Sequence, residues 1–186
     1  RAKKSLLRLN AIHSQYSNII TYKDMVYVLV VFATTPWILN TRWSWRTTTI
    51  EERECIYYHW CDIGNIMGLD IETHFKSWDD MVKYKRDYEL KYMKYSKCNY
   101  VVSHATIDYF LDGVIPKLLH NITRPVILQI MSILQETPEH AKALGLPKAN
   151  PVLSIVVDVF LTLRASFMKF MIPPRPLSWK DRLTGF

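Results

Sequence analysis

Apolar residues recur at steps of three and four through most of the chain, which is the spacing of one face of an α-helix. The first stripe contains Leu6, Leu9, Ile12 and Tyr16, and it includes His13. Later stripes predict helices over residues 24–39, 49–67, 78–95, 100–111, 124–134, 138–144 and 151–171. No segment alternates apolar and polar residues with a period of two. We therefore predict an all-α fold, a single-domain bundle of about seven to eight helices.

Helix-start signals support these boundaries. A Thr or Ser followed three positions later by a carboxylate can form a capping box, which satisfies backbone amides at a helix start. Pro36 is expected to bend or end the second helix, and Gly68 to end the third. The capping-box pattern occurs three times, as Thr21-Tyr22-Lys23-Asp24, Thr48-Thr49-Ile50-Glu51 and Ser77-Trp78-Asp79-Asp80.

The last apolar segment, Val152 to Ile172, is long enough to resemble a membrane span. It carries Asp158, Arg164 and Lys169, and each such charge near a span centre costs about 2.5–3.5 kcal/mol. We therefore predict no transmembrane span, but an amphipathic helix packed on the domain or lying on a membrane surface. The expected division is a helical domain over residues 1–172 and a proline-rich carboxy-terminal tail over residues 173–186.

Composition narrows the choice of partners. The net charge of +7 favours anionic surfaces, but the cations are dispersed, and the densest stretch, residues 83–97, alternates with tyrosines at helical spacing. We expect peripheral contact with a membrane and no nucleic-acid partner. Three cysteines, Cys55, Cys61 and Cys98, form no C-x-x-C motif and are expected to be reduced and largely buried.

An ordered set of short motifs follows His13 along the chain. Together with the histidine they resemble the fungal ER-bound oxygenases of the MpaB type, and more distantly the latex-clearing proteins, which are haem b enzymes. The motifs are Asp24-Met25-Val26-Tyr27, Trp43-Ser44-Trp45-Arg46, Thr49-Ile50-Glu51-Glu52, His59-Trp60-Cys61-Asp62-Ile63-Gly64, Met67-Gly68-Leu69 and Tyr88-Glu89.

The resemblance implies an oxidoreductase that binds haem b, with His13 as the proximal iron ligand. It also implies oxidative cleavage of a hydrophobic, isoprenoid-like small molecule, and association with the endoplasmic reticulum membrane. In similar enzymes a helix upstream of this histidine lines the oxygen-binding side. Because this chain begins at Arg1, already in helical pattern, we expect it to be the carboxy-terminal part of a longer domain without that distal side.

The residues taken alone leave alternatives open. A single histidine on an apolar stripe is more often a core residue with one hydrogen bond than a metal ligand. Arg46 and Arg42 could pair with haem propionates, because guanidinium groups donate planar, charge-assisted hydrogen bonds to carboxylates. The alternative is a loop in which these arginines face water or bridge to Glu51 and Glu52.

Other signatures of chemistry are missing from the sequence. It contains no H-E-x-x-H, G-x-G-x-x-G, P-loop or G-x-S-x-G motif, and no catalytic residue can be assigned. His59 is expected beside Trp60 on a helix flank, and the remaining histidines show no ligand spacing. The sequence therefore leaves two functions open, a haem-dependent oxygenase-like domain and a truncated or degenerate, non-catalytic helical domain that binds membrane or protein.

Overall fold

The computed structural model describes residues 2–172. The expected tail, residues 173–186, lies outside the described residues. Within them the chain forms helices and no strand, so the predicted all-α fold is confirmed. The α-helices are α1 (Ala2–Ser14), α2 (Tyr22–Trp43), α3 (Ile50–Ile66), α4 (Ile71–His74), α5 (Trp78–Tyr92), α6 (Lys97–Val114), α7 (His120–Ile133), α8 (Pro138–Ala143) and α9 (Pro151–Met171), with a 3-10 helix at Lys117–Leu119.

All eight predicted helices are present, and α9 has the predicted bounds. Pro36 does not end α2, which continues to Trp43. The one-turn helix α4 and the 3-10 helix were not predicted, because three or four residues are too short to show a period.

The caps follow the sequence closely. Thr21 and Asp24 form the predicted capping box at the start of α2. The second box lies one residue later than predicted, between Thr49 and Glu52, because the paired threonines and paired glutamates allow two registers. At the third site the hydroxyl of Ser77 accepts a hydrogen bond from the Asp80 amide at 3.2 Å.

The described chain forms two compact units, one of residues 2–88 with 166–172 and the other of residues 89–165. The first unit contains a continuous apolar core between α2, α3, α4 and α5. Gly64 is the point of closest approach, since a Cβ there would lie 2.3 Å from Cγ1 of Ile71. The buried members of this core are Val26, Leu29, Val30, Ala33, Tyr57, Cys61, Leu69, Ile71, Phe75, Trp78 and Met81.

The second unit has a smaller buried cluster, formed by Ile107, Leu111, Ala141 and Leu146. Helices α6 and α7 are also joined by Arg124, which donates from Nε to Asp108 at 2.7 Å. This hydrogen bond lowers the pKa of the Asp108 carboxyl.

Two sequence predictions concern the burial of the cysteines and the absence of a transmembrane span. Cys61 is buried, but Cys55 and Cys98 are exposed, so the prediction of three largely buried thiols was wrong for two of them. Two described helices, Tyr22–Trp43 and Pro151–Met171, are long and apolar enough to cross a membrane. The expected absence of a transmembrane span therefore stays a prediction.

Candidate functional site

His13 lies in the last turn of α1 and is half-buried. It shares the inward side of the helix with Leu6 and Asn10, which are also half-buried and lie seven and three residues before it. The His13 side chain lines a cavity.

The cavity is a depression open to solvent, with a volume of about 450 Å³. Four segments of the first unit line it, namely the end of α1, the turn after it, the start of α2 and the turn that follows α3. The lining residues are Asn10, His13, Ser14, Ser17, Ile20, Tyr22, Met25, Met67, Gly68 and Leu69. Polar groups thus lie on the α1 side, and Met25, Met67 and Leu69 supply much of the apolar wall.

Hydrogen bonds at the end of α3 fix this wall. The Asn10 side-chain amide donates to the Ile66 carbonyl at 2.9 Å, so it satisfies one of the carbonyls that a helix end leaves unpaired. Gly68 has φ +77°, and Leu69 N–H donates to the Gly64 carbonyl at 2.8 Å. Gly68 thus ends α3 as the sequence predicted, and the chain turns back along the cavity after it.

The opposite wall begins at Tyr22. Its hydroxyl accepts a hydrogen bond from the Asp70 amide at 3.2 Å, and its ring lies 5.4 Å from the His74 ring, centroid to centroid. His74 in turn contacts the Asp70 carbonyl through Nδ1 at 2.9 Å. These contacts join the start of α2 to the short helix α4.

The Nδ1 atom of His13 is buried and has no hydrogen-bond partner. A buried polar atom left unpaired costs about 1–3 kcal/mol, and such atoms are uncommon in folded proteins. The interpretation of His13 as a core histidine with one hydrogen bond at this nitrogen is therefore not met. An imidazole with an unpaired nitrogen beside a cavity is suited to binding a ligand or a metal-containing group.

The predicted apolar surroundings of His13 were wrong in part. Leu9, Ile12 and Tyr16 are exposed, and only Leu6 shares the inward side with the histidine. The helix is rotated relative to the expected stripe, so that Asn10 and Ser14 line the cavity instead.

Arg42 and Arg46 do not lie at this cavity. Arg42 lies in the last turn of α2, about 25 Å along the helix from Met25 at 1.5 Å per residue, and Arg46 follows the end of that helix. Arg46 pairs with both carboxylate oxygens of Glu52, at 2.7 and 2.6 Å, and lies in a separate depression with Trp45.

The Arg46 hydrogen bonds lower the pKa of Glu52 to about 2. The Arg42 guanidinium lies 4.3 Å from the ring centre of Trp43. The structure thus shows the glutamate bridge that the sequence left open for Arg46, and the role of the two arginines at haem propionates stays a prediction.

The other histidines contribute to local structure. His59 is exposed, with its ring 6.1 Å from Trp60. His104 contacts Arg124 and the Gly145 carbonyl, and Nε2 of His140 lies 3.1 Å from a Glu89 oxygen. Residues 2–172 contain no group of three or more His, Cys, Asp or Glu side chains placed to hold a metal ion. A metal at His13 would therefore need ligands of another kind.

Sequence reasoning missed Asn10, Ser17 and Tyr22 as parts of the site. Asn10 had a usable signal, because it lies one turn before His13 on the same side of the helix. Ser17 and Tyr22 lie in and after the turn between α1 and α2, whose path no periodicity predicts.

Comparison with known proteins supports the resemblance. The chain is 29% identical over 188 aligned residues to the "ER-bound oxygenase mpaB'" of Penicillium brevicompactum, covering 95% of this chain and 43% of that protein. It is 28% identical to the "ER-bound oxygenase mpaB" of Penicillium roqueforti (strain FM164), covering 73% of this chain and 48% of that protein. A further "ER-bound oxygenase mpaB" from Penicillium brevicompactum is 26% identical over 95% of this chain.

The chain spans less than half the length of these curated relatives. No family model and no solved structure matches it significantly. The similarity to the three oxygenases nevertheless confirms the resemblance that the ordered motifs indicated. Over nearly its whole length, this chain is similar in sequence to the MpaB-type ER-bound oxygenases.

Proposed function

We propose that this chain forms part of a haem-dependent oxygenase in which His13 binds the haem iron. The observation that carries the proposal is the buried, unpaired Nδ1 of His13 beside a cavity of about 450 Å³. The names of the relatives support an oxygenase, and the haem-binding role comes from the resemblance of the His13 region to haem b enzymes.

The residues present fit one side of a haem site. The cavity falls within the range of about 300–1,000 Å³ typical of small-molecule and cofactor sites. A neutral imidazole can bind iron through one nitrogen, provided that the other nitrogen finds a hydrogen-bond acceptor that fixes the ring. Met25, Met67 and Leu69 offer apolar surface for a porphyrin face.

The residues that line the cavity do not provide partners for every part of a haem b. None of the ten lining residues is an arginine or a lysine, so the carboxylates of a haem b would find their partners outside this set. Arg46, which is engaged by Glu52, is not that partner in this arrangement. We therefore assign His13 as the ligand and assign no residue to the propionates.

When bound, haem iron supplies the activation of dioxygen for oxidative cleavage of a carbon–carbon double bond. The residues of this chain would bind the haem and orient it. His13 would donate electrons to the metal, and Met25, Met67 and Leu69 would offer apolar surface to one side of the porphyrin. The Asn10–Ile66 hydrogen bond would hold α1, and with it the imidazole, at a fixed distance from the wall.

We further propose that the substrate is hydrophobic and isoprenoid-like, and that the protein works at the endoplasmic reticulum membrane. The relatives are named ER-bound, and apolar molecules of this kind dissolve in lipid rather than in water. The charge of +7 is suited to a membrane that carries anionic headgroups.

The test is a titration of the purified chain with haem, followed by absorption spectroscopy. We expect a Soret band that differs from that of free haem, and loss of this difference in His13→Ala. His59→Ala is the matched control, because His59 is exposed and lies outside the cavity lining. An unchanged spectrum in His13→Ala would remove His13 from the site.

A second candidate function is a non-catalytic helical domain that binds membrane or protein. One observation favours it, namely the large apolar surface that α9 leaves exposed. If the chain binds no haem while it still binds its partner surface, this second function is the better description.

A further inference from the structure

Helix α9 exposes its apolar side. Its outward residues recur at three- and four-residue steps and cover an arc of about 160° on the helix surface, at 100° per residue. We call this set the outward arc. It consists of Val152, Ile155, Val156, Val159, Phe160 and Leu163, continued by Phe167, Phe170 and Met171, and each side chain is at least 52% exposed.

The opposite side of α9 is also mainly apolar, with half-buried Leu153, Val157, Leu161 and Met168. Ser154 and Asp158 are half-buried there, and Ala165 is the buried residue of the helix. An ordinary surface helix places its apolar side inward and its polar side in water. Because α9 is apolar on both sides, packing of one side leaves the outward arc exposed, and that arc is suited to contact with an apolar medium.

Cations flank the outward arc. Arg164 lies just beyond one edge and Lys169 just beyond the other, when the helix is projected along its axis, and both are exposed. No Asp or Glu falls within the arc, because Asp158 lies on the inward side. An apolar arc between two cationic edges is the pattern of helices that lie at the surface of an anionic bilayer.

We propose that α9 binds an anionic phospholipid bilayer, with its axis in the membrane plane and its outward arc among the upper acyl chains. Arg164 and Lys169 would then reach lipid phosphates from either edge of the helix. The inference rests on the membrane association in the proposed function, to which it assigns an element and a lipid chemistry. It does not depend on haem binding.

The in-plane arrangement follows from where the charges lie. A spanning helix would carry Asp158 and Arg164 through the hydrocarbon, at about 2.5–3.5 kcal/mol for a charge near the centre. In the plane, both charges remain at or above the headgroups. A second copy of the chain is a poorer occupant of the arc, because it would add the same two cations and no anion.

The first test compares flotation of the purified chain with vesicles of phosphatidylcholine alone and with added phosphatidylserine. We expect binding that requires phosphatidylserine. In Val156→Asp/Phe160→Asp we expect binding to fall more than tenfold. The matched control, Tyr109→Asp/Val114→Asp, makes the same charge change at residues of α6 that are even more exposed, and should bind as the unaltered chain does.

The second test isolates the charges. Arg164→Gln/Lys169→Gln should weaken binding to phosphatidylserine vesicles about tenfold, whereas Lys94→Gln/Lys97→Gln, with the same net charge and exposed positions, should have a much smaller effect. Circular dichroism of each variant checks that helix content is retained. Carbonate washing should release the bound chain, since an in-plane helix does not cross the bilayer.

Each contrary result overturns the inference in a distinguishable way. Equal binding by both aspartate variants would leave membrane association intact and move it to another surface. No binding by the unaltered chain would remove both the inference and the membrane part of the proposed function. Retention after carbonate washing would contradict the in-plane axis, and a dimer that only the α9 variant disrupts, without vesicle binding, would assign the arc to self-association.

Discussion

The two compact units use their apolar residues in opposite ways. In the unit of residues 2–88 with 166–172, eleven buried residues form one core, and Trp78, Ile71 and Met81 are almost completely enclosed. In the unit of residues 89–165 only four residues form the buried cluster, while the part of the outward arc from Val152 to Leu163 is exposed.

The difference shows which residues carry functional information in each unit. Where the apolar pattern is satisfied by packing, a polar residue on the inward side is the unusual feature, and His13, whose Nδ1 is buried without a hydrogen-bond partner, is one such residue. Where packing leaves apolar side chains exposed, the excess itself is the unusual feature, and it indicates an external apolar partner. The unit that contains His13 thus indicates a binding site for a ligand. The unit with exposed apolar side chains indicates a surface that contacts an apolar partner.

The largest expected effect concerns aromatic residues in the two units. Trp78→Ala should lower the free energy of unfolding by about 3–5 kcal/mol, because Trp78 is 2% exposed and packs edge-on against Trp37. Phe160→Ala, in the outward arc and 65% exposed, should change it by less than about 0.5 kcal/mol. Urea unfolding measures both, and a large loss for Phe160→Ala would mean that the arc is covered by the protein.

A smaller effect is expected from two glycines. Gly64→Ala should destabilise the chain by about 1–3 kcal/mol, since the added methyl would meet Ile71, which is completely buried and cannot move aside freely. Gly113→Ala in α6 meets no atom within 4 Å and should be neutral or stabilising by up to about 1 kcal/mol. Equal responses in thermal unfolding would contradict the tight α3–α4 contact.

The smallest effect is a dependence on pH at the start of α3. Hydrogen bonds from Arg46 lower the pKa of Glu52 from 4.5 to about 2, so the stabilisation is present above pH 4.5 and is lost as the pH falls towards 2. In Glu52→Gln the free energy of unfolding should vary less with pH over this interval. An unfolding free energy that falls as steeply in Glu52→Gln as in the unaltered chain would show that this carboxylate does not set the dependence on pH.

Much of the fold could be predicted from the sequence because local signals decide it. The bounds of α9 follow from Asn150-Pro151 at one end and the prolines after Ile172 at the other. The capping box at Thr21 has one register and was predicted correctly, whereas the Thr48–Thr49 and Glu51–Glu52 pairs allow two and the prediction was off by one residue.

The site was harder to predict because it depends on helix rotation and on turns. The stripe that includes His13 also contains Leu9 and Ile12, and periodicity alone cannot decide which edge of it turns inward. The distance from the cavity to Arg42 and Arg46 depends on how far α2 continues past Pro36, which the sequence left open. The cavity itself is a product of tertiary packing between α1, α2 and the end of α3.

If the imidazole at position 13 binds the haem iron, a variant that leaves its space vacant should lose this ligand and regain it from free imidazole. His13→Gly should lose the ligand-dependent Soret band on titration with haem, and added free imidazole should restore it by occupying the vacated space. His59→Gly should keep the band without imidazole. Restoration specific to His13→Gly is the predicted result, whereas an unaltered spectrum in His13→Gly, or no response to imidazole, would contradict the account.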